Sequence, residues 1–131
     1  MKITENWSKK SVVIFSSSKS TYGVVLRDMA RNLGWSVAGI THEMPKLREY
    51  LSTGAASIVF IDDCVDLPGV AAVRHILKDP ICALHPMLCF LSEVNKNEAL
   101  SLRSMGKPVV VEKPVSPMRF VRDFKGLVKV W

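Results

Sequence analysis

Four short segments hold most of the groups able to do chemistry. Asp62-Asp63-Cys64-Val65-Asp66 sets three carboxylates and a thiol within five residues and runs on into Leu67-Pro68-Gly69. Ser16-Ser17-Ser18-Lys19-Ser20-Thr21 offers hydroxyls and an ammonium, and Ser92-Glu93 and Glu112-Lys113-Pro114 add a hydroxyl, two carboxylates and a lysine. Brought together, such groups could hold a cation or an anion such as phosphate. The serine-rich loop could also be a phosphate cradle built on backbone N–H groups at a helix N-terminus. Against that, Gly23 is its only glycine and Lys19 is foreign to the pattern. Taken singly, each segment has an ordinary reading: strand-end polar groups, a helix-capping loop, a surface turn. Cys64 reads as a small buried filler before it reads as a reactive thiol. His42, His75 and His85 lie far apart without companion ligands, so no metal site is expected from them.

The positioning elements are legible from the apolar runs. Val12-Val13-Ile14-Phe15, Val37-Ala38-Gly39-Ile40, Ile58-Val59-Phe60-Ile61, Met87-Leu88-Cys89-Phe90-Leu91 and Val109-Val110-Val111 are continuous rather than alternating. That pattern predicts strands covered on both faces, as in a parallel sheet. Between them, Tyr22, Leu26, Met29, Ala30 and Leu33 form a helical stripe closed by Gly34, and Pro45 opens a helix carrying Leu47, Tyr50 and Leu51 toward Gly54. Val70, Val73, Ile76 and Leu77 predict a third helix ending at Asp79-Pro80, and Asn95 or Asn97 a cap for a fourth through Ala99, Leu100 and Arg103. Ser116 and Pro117 open a fifth, with Phe120, Val121, Phe124, Leu127, Val128 and Trp131 on its apolar face. Five β-α repeats specify an open α/β fold of three layers, α-β-α. In such folds, ligand chemistry gathers at the carboxyl ends of the strands, where all four segments fall.

Composition bounds the rest. The 131 residues are 48% hydrophobic and 23% charged, which suits one domain and excludes disorder. No apolar run approaches the roughly 18 residues of a membrane span. Residues 1–10 are polar and are expected to be a flexible tail ahead of one domain at 11–131, with no secretion signal. Three cysteines cannot all pair, which points to reduced thiols and a cytoplasmic location. Residues 94–131 carry 8 Lys/Arg against 3 Asp/Glu, so most of the net charge of +6 sits in the last third. A basic third of this kind can face solvent or attract an acidic partner.

The order of elements, the Asp after the third strand, the Leu-Pro-Gly beyond it, Ser92 and Lys113-Pro114 together resemble the receiver domain of bacterial two-component response regulators, over about residues 11–131. The resemblance implies a flavodoxin-like five-stranded parallel sheet in the order 2-1-3-4-5. It implies a non-enzymatic signalling module in a phosphorelay, whose aspartate takes a phosphoryl group from a histidine kinase. Residue by residue, Asp62 matches the phosphoacceptor, with Asp63 as the alternative because the loop to Pro68 is one or two residues longer than usual. Ser92 matches the hydroxyl that contacts the phosphoryl group, and Lys113, followed by Pro114, matches the ammonium.

Three positions depart from the family. Its acidic, Mg²⁺-holding pair is replaced by Ser16 and Ser17, and its aromatic switch position is Val110. Mg²⁺ wants anionic oxygen ligands in near-octahedral geometry, so strong binding is not expected and no cofactor is assigned. Without the ion, Lys113 would be the natural partner of Asp62. The expected function is that of a pseudo-receiver acting by phosphorylation-independent contact with a histidine kinase, a phosphotransfer protein or an output protein, or with itself as a homodimer. The expected partner face is the fourth helix, fifth strand and fifth helix, with Lys107, Val110, Arg119, Arg122 and Lys125. Nucleic acid and membrane are not expected partners. An active phosphoacceptor on Asp62 or Asp63 is the alternative, and a flavin-binding, flavodoxin-like protein the remote one.

Overall fold

The computed structural model describes residues 11–106, 108–113, 116, 118 and 122. Five strands, β1 (Ser11–Phe15), β2 (Ser36–Thr41), β3 (Ile58–Asp62), β4 (Met87–Leu91) and β5 (Val109–Glu112), form one sheet in the order β2-β1-β3-β4-β5. Every pairing is parallel, so each connection must cross a face of the sheet. The crossovers carry α1 (Tyr22–Asn32), α2 (Met44–Ser52), α3 (Gly69–Lys78) and α4 (Ala99–Ser104). Short 3₁₀ turns at Cys82–Leu84 and Glu93–Glu98 precede β5's two predecessors in the chain, β4 and α4 respectively.

Strand alternation divides the core in two. Val13, Phe15, Val59, Ile61, Met87, Cys89 and Leu91 face α2, α3 and α4, where Leu47, Leu51, Ala72, Val73, Ile76 and Leu102 meet them. Val12, Ile14, Ile58, Phe60, Leu88, Phe90 and Val111 face the other way, onto Leu26 and Ala30 of α1 and onto Trp35. Phe60 and Phe90 meet edge to face at 5.3 Å within that second core. The layers, strand order and four described helices agree with the fold read from the sequence.

Some expectations change. β2 is not covered on both faces: its residues from Ser36 to Ile40 are half-buried or exposed, because it is an edge strand with a neighbour on one side only. A side chain at Gly39 would strike the Tyr50 hydroxyl, so α2 approaches this edge at a point where only glycine fits. Asn95 does not cap α4. Glu98 holds the cap position without a side-chain cap, and Asn95 sits at a non-helical kink in the 3₁₀ segment, with its side chain turned to a carboxylate described below. The expected tail at 1–10 lies outside the described residues. So does most of the fifth helix, of which only Met118 and Arg122 are described, both with helical backbone.

Candidate functional site

The carboxyl end of β3 carries two adjacent aspartates, each fully buried. Asp62 continues the alternation of Ile58 and Phe60 and so falls on the α1 side of the sheet, whereas Asp63 falls on the side of α2, α3 and α4. Two different carboxylate sites follow from this one-residue offset.

Asp62 lies among groups from three elements. Ser16, just past β1, donates its hydroxyl to Oδ2 at 2.7 Å, and Ser20 donates to the same oxygen at 2.6 Å. The Lys113 ammonium, just past β5, donates to Oδ1 and also to the Asp63 carbonyl oxygen at 2.8 Å. That ammonium also stands 4.5 Å from the centre of the Tyr22 ring, a cation–π contact from the first residue of α1. The Lys113 side chain keeps 14% of its exposure, so the ion pair is shielded from water almost completely. Ser20 also accepts the Tyr22 backbone N–H at 3.2 Å and thereby ties the start of α1 to Asp62. Gly23 backs this arrangement, since a Cβ there would come within 3.1 Å of Ser16 Oγ.

Asp63 is held by neutral donors. The Gly69 N–H, first in α3, donates to Oδ1; a carboxylate at a helix N-terminus is favoured by the exposed N–H groups there. Ser92 donates its backbone N–H to Oδ2 at 3.1 Å and its hydroxyl at 3.0 Å. The Asn95 amide reaches both oxygens, at 3.2 and 3.1 Å. Gly69 permits this packing, because a Cβ there would lie 2.9 Å from Cys89 Sγ and 3.1 Å from the Asp63 carboxylate.

Beyond the two aspartates, Ser17, Lys19, Ser20, Thr21, Cys64, Val65 and Asp66 line an open groove of about 480 Å³. Lys19 approaches Asp66 at 3.9 Å on this rim, where water weakens such pairs. Burial pushes the Cys89 thiol far up, and the Asp63 carboxylate adds to the effect. Cys82 is pushed up to about 11 by burial and then by Asp79. Cys64 is half-buried, the least enclosed of the three thiols.

The residues singled out from the sequence are therefore distributed as follows. Ser16, Lys113 and Asp62 meet in one cluster, while Ser92 meets Asp63 instead of Asp62. Ser17 turns outward, with its hydroxyl 3.4 Å from Asp66. Val110 is half-buried against the core shared with α4. Arg122 is exposed, and Lys107, Pro114, Arg119 and Lys125 lie outside the described residues. Sequence reasoning missed the roles of Ser20, Tyr22, Gly69 and Asn95. Tyr22 was legible only as part of an apolar stripe and Asn95 only as a cap, since neither local pattern reveals a contact made across the fold.

The donor set does not suit a divalent ion. Both Asp62 oxygens already accept hydrogen bonds, one of them from an ammonium, and the neighbours at the β1 end are neutral hydroxyls. Among the described residues, no three His, Cys, Asp or Glu side chains gather as ion ligands.

Comparison with solved structures places the fold. The receiver domain of a sensor histidine kinase from Pseudomonas aeruginosa, solved with a magnesium ion coordinated in its active-site cleft, matches with a TM-score of 0.71 at 14% identity, covering 92% of this chain and 98% of that one. A putative response regulator from Chloroflexus aurantiacus matches at 0.74 and 14% identity, again covering 92% and 98%. The signal receiver domain of a response regulator from Bermanella marisrubri matches at 0.73 and 17%, with the same coverage. The chain thus has the receiver fold, a flavodoxin-like α/β architecture. No family model matches the chain, and neither does any curated protein.

Proposed function

We propose that this chain is a receiver module of two-component-type signalling whose cleft is closed by its own lysine, and that it acts by protein–protein contact without phosphorylation. The observation that carries this reading is the ammonium of Lys113 seated on the buried carboxylate of Asp62. Phosphoryl transfer relies on a metal ion to offset charge building on the phosphoryl oxygens. Here Ser16 and Ser17 bring no anion to hold such an ion, and Asp62 is already neutralised. An attacking Asp62 oxygen would have to leave either the ammonium or two hydroxyls before it met a phosphoryl donor.

Residues 11–131 act as the module, in the cytoplasm, without enzymatic activity. The described residues hold no helix long and apolar enough to cross a membrane. The excess of positive charge in residues 94–131 favours an acidic protein surface as partner, met through α4, β5 and the segment carrying Arg119, Arg122 and Lys125.

The test is incubation with acetyl phosphate, or with beryllofluoride, in the presence of Mg²⁺, followed by intact-mass measurement or ¹⁹F NMR. No covalent mass gain and no bound fluoride signal are expected. Stoichiometric modification of Asp62 would overturn the reading.

A further inference from the structure

We infer that Asp63 is a built-in anion that pins the segment between β4 and α4 in one position, so that the partner face is presented without any signal. This deepens the reading above and rests on it for its functional meaning; the pinning itself rests on geometry alone.

The carboxylate of Asp63 has no exposure to water, and its described contacts are all donors. Lys113 reaches Asp63 only at the backbone carbonyl, so its ammonium does not neutralise this carboxylate directly. The anion is instead solvated by oriented dipoles from two places: the start of α3, through Gly69, and the segment after β4, through Ser92 and Asn95. Hydrogen bonds to a charged group are shorter and stronger than neutral ones.

Ser92 and Asn95 both aim their side chains at the same carboxylate, from opposite ends of a four-residue stretch. The backbone between them is thereby fixed at both ends. The kink at Asn95, with φ −108° and ψ 22°, lies where that amide turns inward and interrupts the 3₁₀ segment. The helix that follows, α4, starts at Ala99 and is only six residues long. So short a helix is marginal by itself, and its placement follows the segment leading into it. Holding that segment therefore holds the near end of the proposed partner face. A partner that prefers this position meets it fully populated and loses no affinity to conformational selection.

The experiment is amide hydrogen exchange followed by mass spectrometry on the wild type and on Asp63→Asn, Asp62→Asn, Ser92→Ala and Asn95→Ala. Asp63→Asn removes the charge and places an amide donor among donors. Its amides in residues 92–98 are expected to exchange about tenfold faster or more, with those of β1 and β3 unchanged. Ser92→Ala and Asn95→Ala leave the anion in place and should each loosen the same stretch by a smaller factor, which keeps the test decisive if Asp63→Asn fails to fold. Asp62→Asn should leave residues 92–98 as in the wild type. Unchanged exchange at 92–98 in the Ser92 and Asn95 variants, or a rise of the same size throughout the chain, would overturn the proposal. Phosphorylation of Asp62 with unchanged selectivity at 92–98 would defeat the silent-receiver reading and leave the pin standing.

Discussion

Asp62 and Asp63 are the same residue one position apart, and the two-residue period of a strand makes them opposites. One meets an ammonium and two hydroxyls, the other a set of neutral N–H and O–H donors. The stability consequences differ accordingly. Lys113→Met strands the Asp62 carboxylate in a buried site without its cation, and is expected to lower unfolding free energy by about 3–5 kcal/mol in a urea titration. The double variant Lys113→Met with Asp62→Asn removes both charges and should recover most of that loss. A double variant no more stable than the single one would show that the pair is not what holds the β5 end to β3. The thiols give a second check at this scale. Burial holds Cys89 and Cys82 in the protonated form at neutral pH, and only thiolates react. One equivalent of iodoacetamide is expected to react in the native state, at Cys64, with Cys82 and Cys89 modified only after unfolding.

Among the elements, the start of α3 meets the end of β3 and the middle of β4 at a single position. Gly69 opens α3, gives its N–H to Asp63, and leaves no room for a methyl group against Cys89 and the carboxylate. Gly69→Ala should lower stability by about 1–3 kcal/mol, the usual range for overpacking. Enlarging Cys89 should worsen the defect, and Cys89→Ala in the same chain should relieve part of it, as read by thermal unfolding. The helix faces themselves were legible. Leu26 and Ala30 of α1, Leu47 and Leu51 of α2, and Val73 and Ile76 of α3 are buried where helical spacing placed them. The edge strand was not, because an apolar run reads alike in the middle of a sheet and at its border. Only the order of strands tells which residues lack a neighbour.

Across the molecule, two apolar cores share one sheet, with every central strand contributing residues to both. Because β1, β3 and β4 each contribute side chains to both cores, loss of packing on one side weakens the other, and unfolding is expected as one cooperative step. Fluorescence from the tryptophans and far-ultraviolet circular dichroism should give superimposable urea transitions. Separate midpoints would show that the α1 side opens independently of the side packed by α2, α3 and α4. Magnesium or a chelator should leave that midpoint unmoved, because the carboxylates near the cleft already have their partners.

By itself the sequence determined the α/β architecture and the gathering of its four polar segments at the carboxyl ends of the strands, while the strand order came only from its resemblance to a family. Those features depend on period, element order and chain direction, all of which are local or topological. Tertiary structure decided that Ser92 serves Asp63, that Asn95 leaves its capping role to reach the same carboxylate, and that Tyr22 lays its ring over the ammonium. Each is a contact between segments from about 30 to 90 residues apart in the chain. Its formation depends on angstrom-scale distances and on which buried polar group still lacks a partner, a condition that exists only once the chain has closed around it.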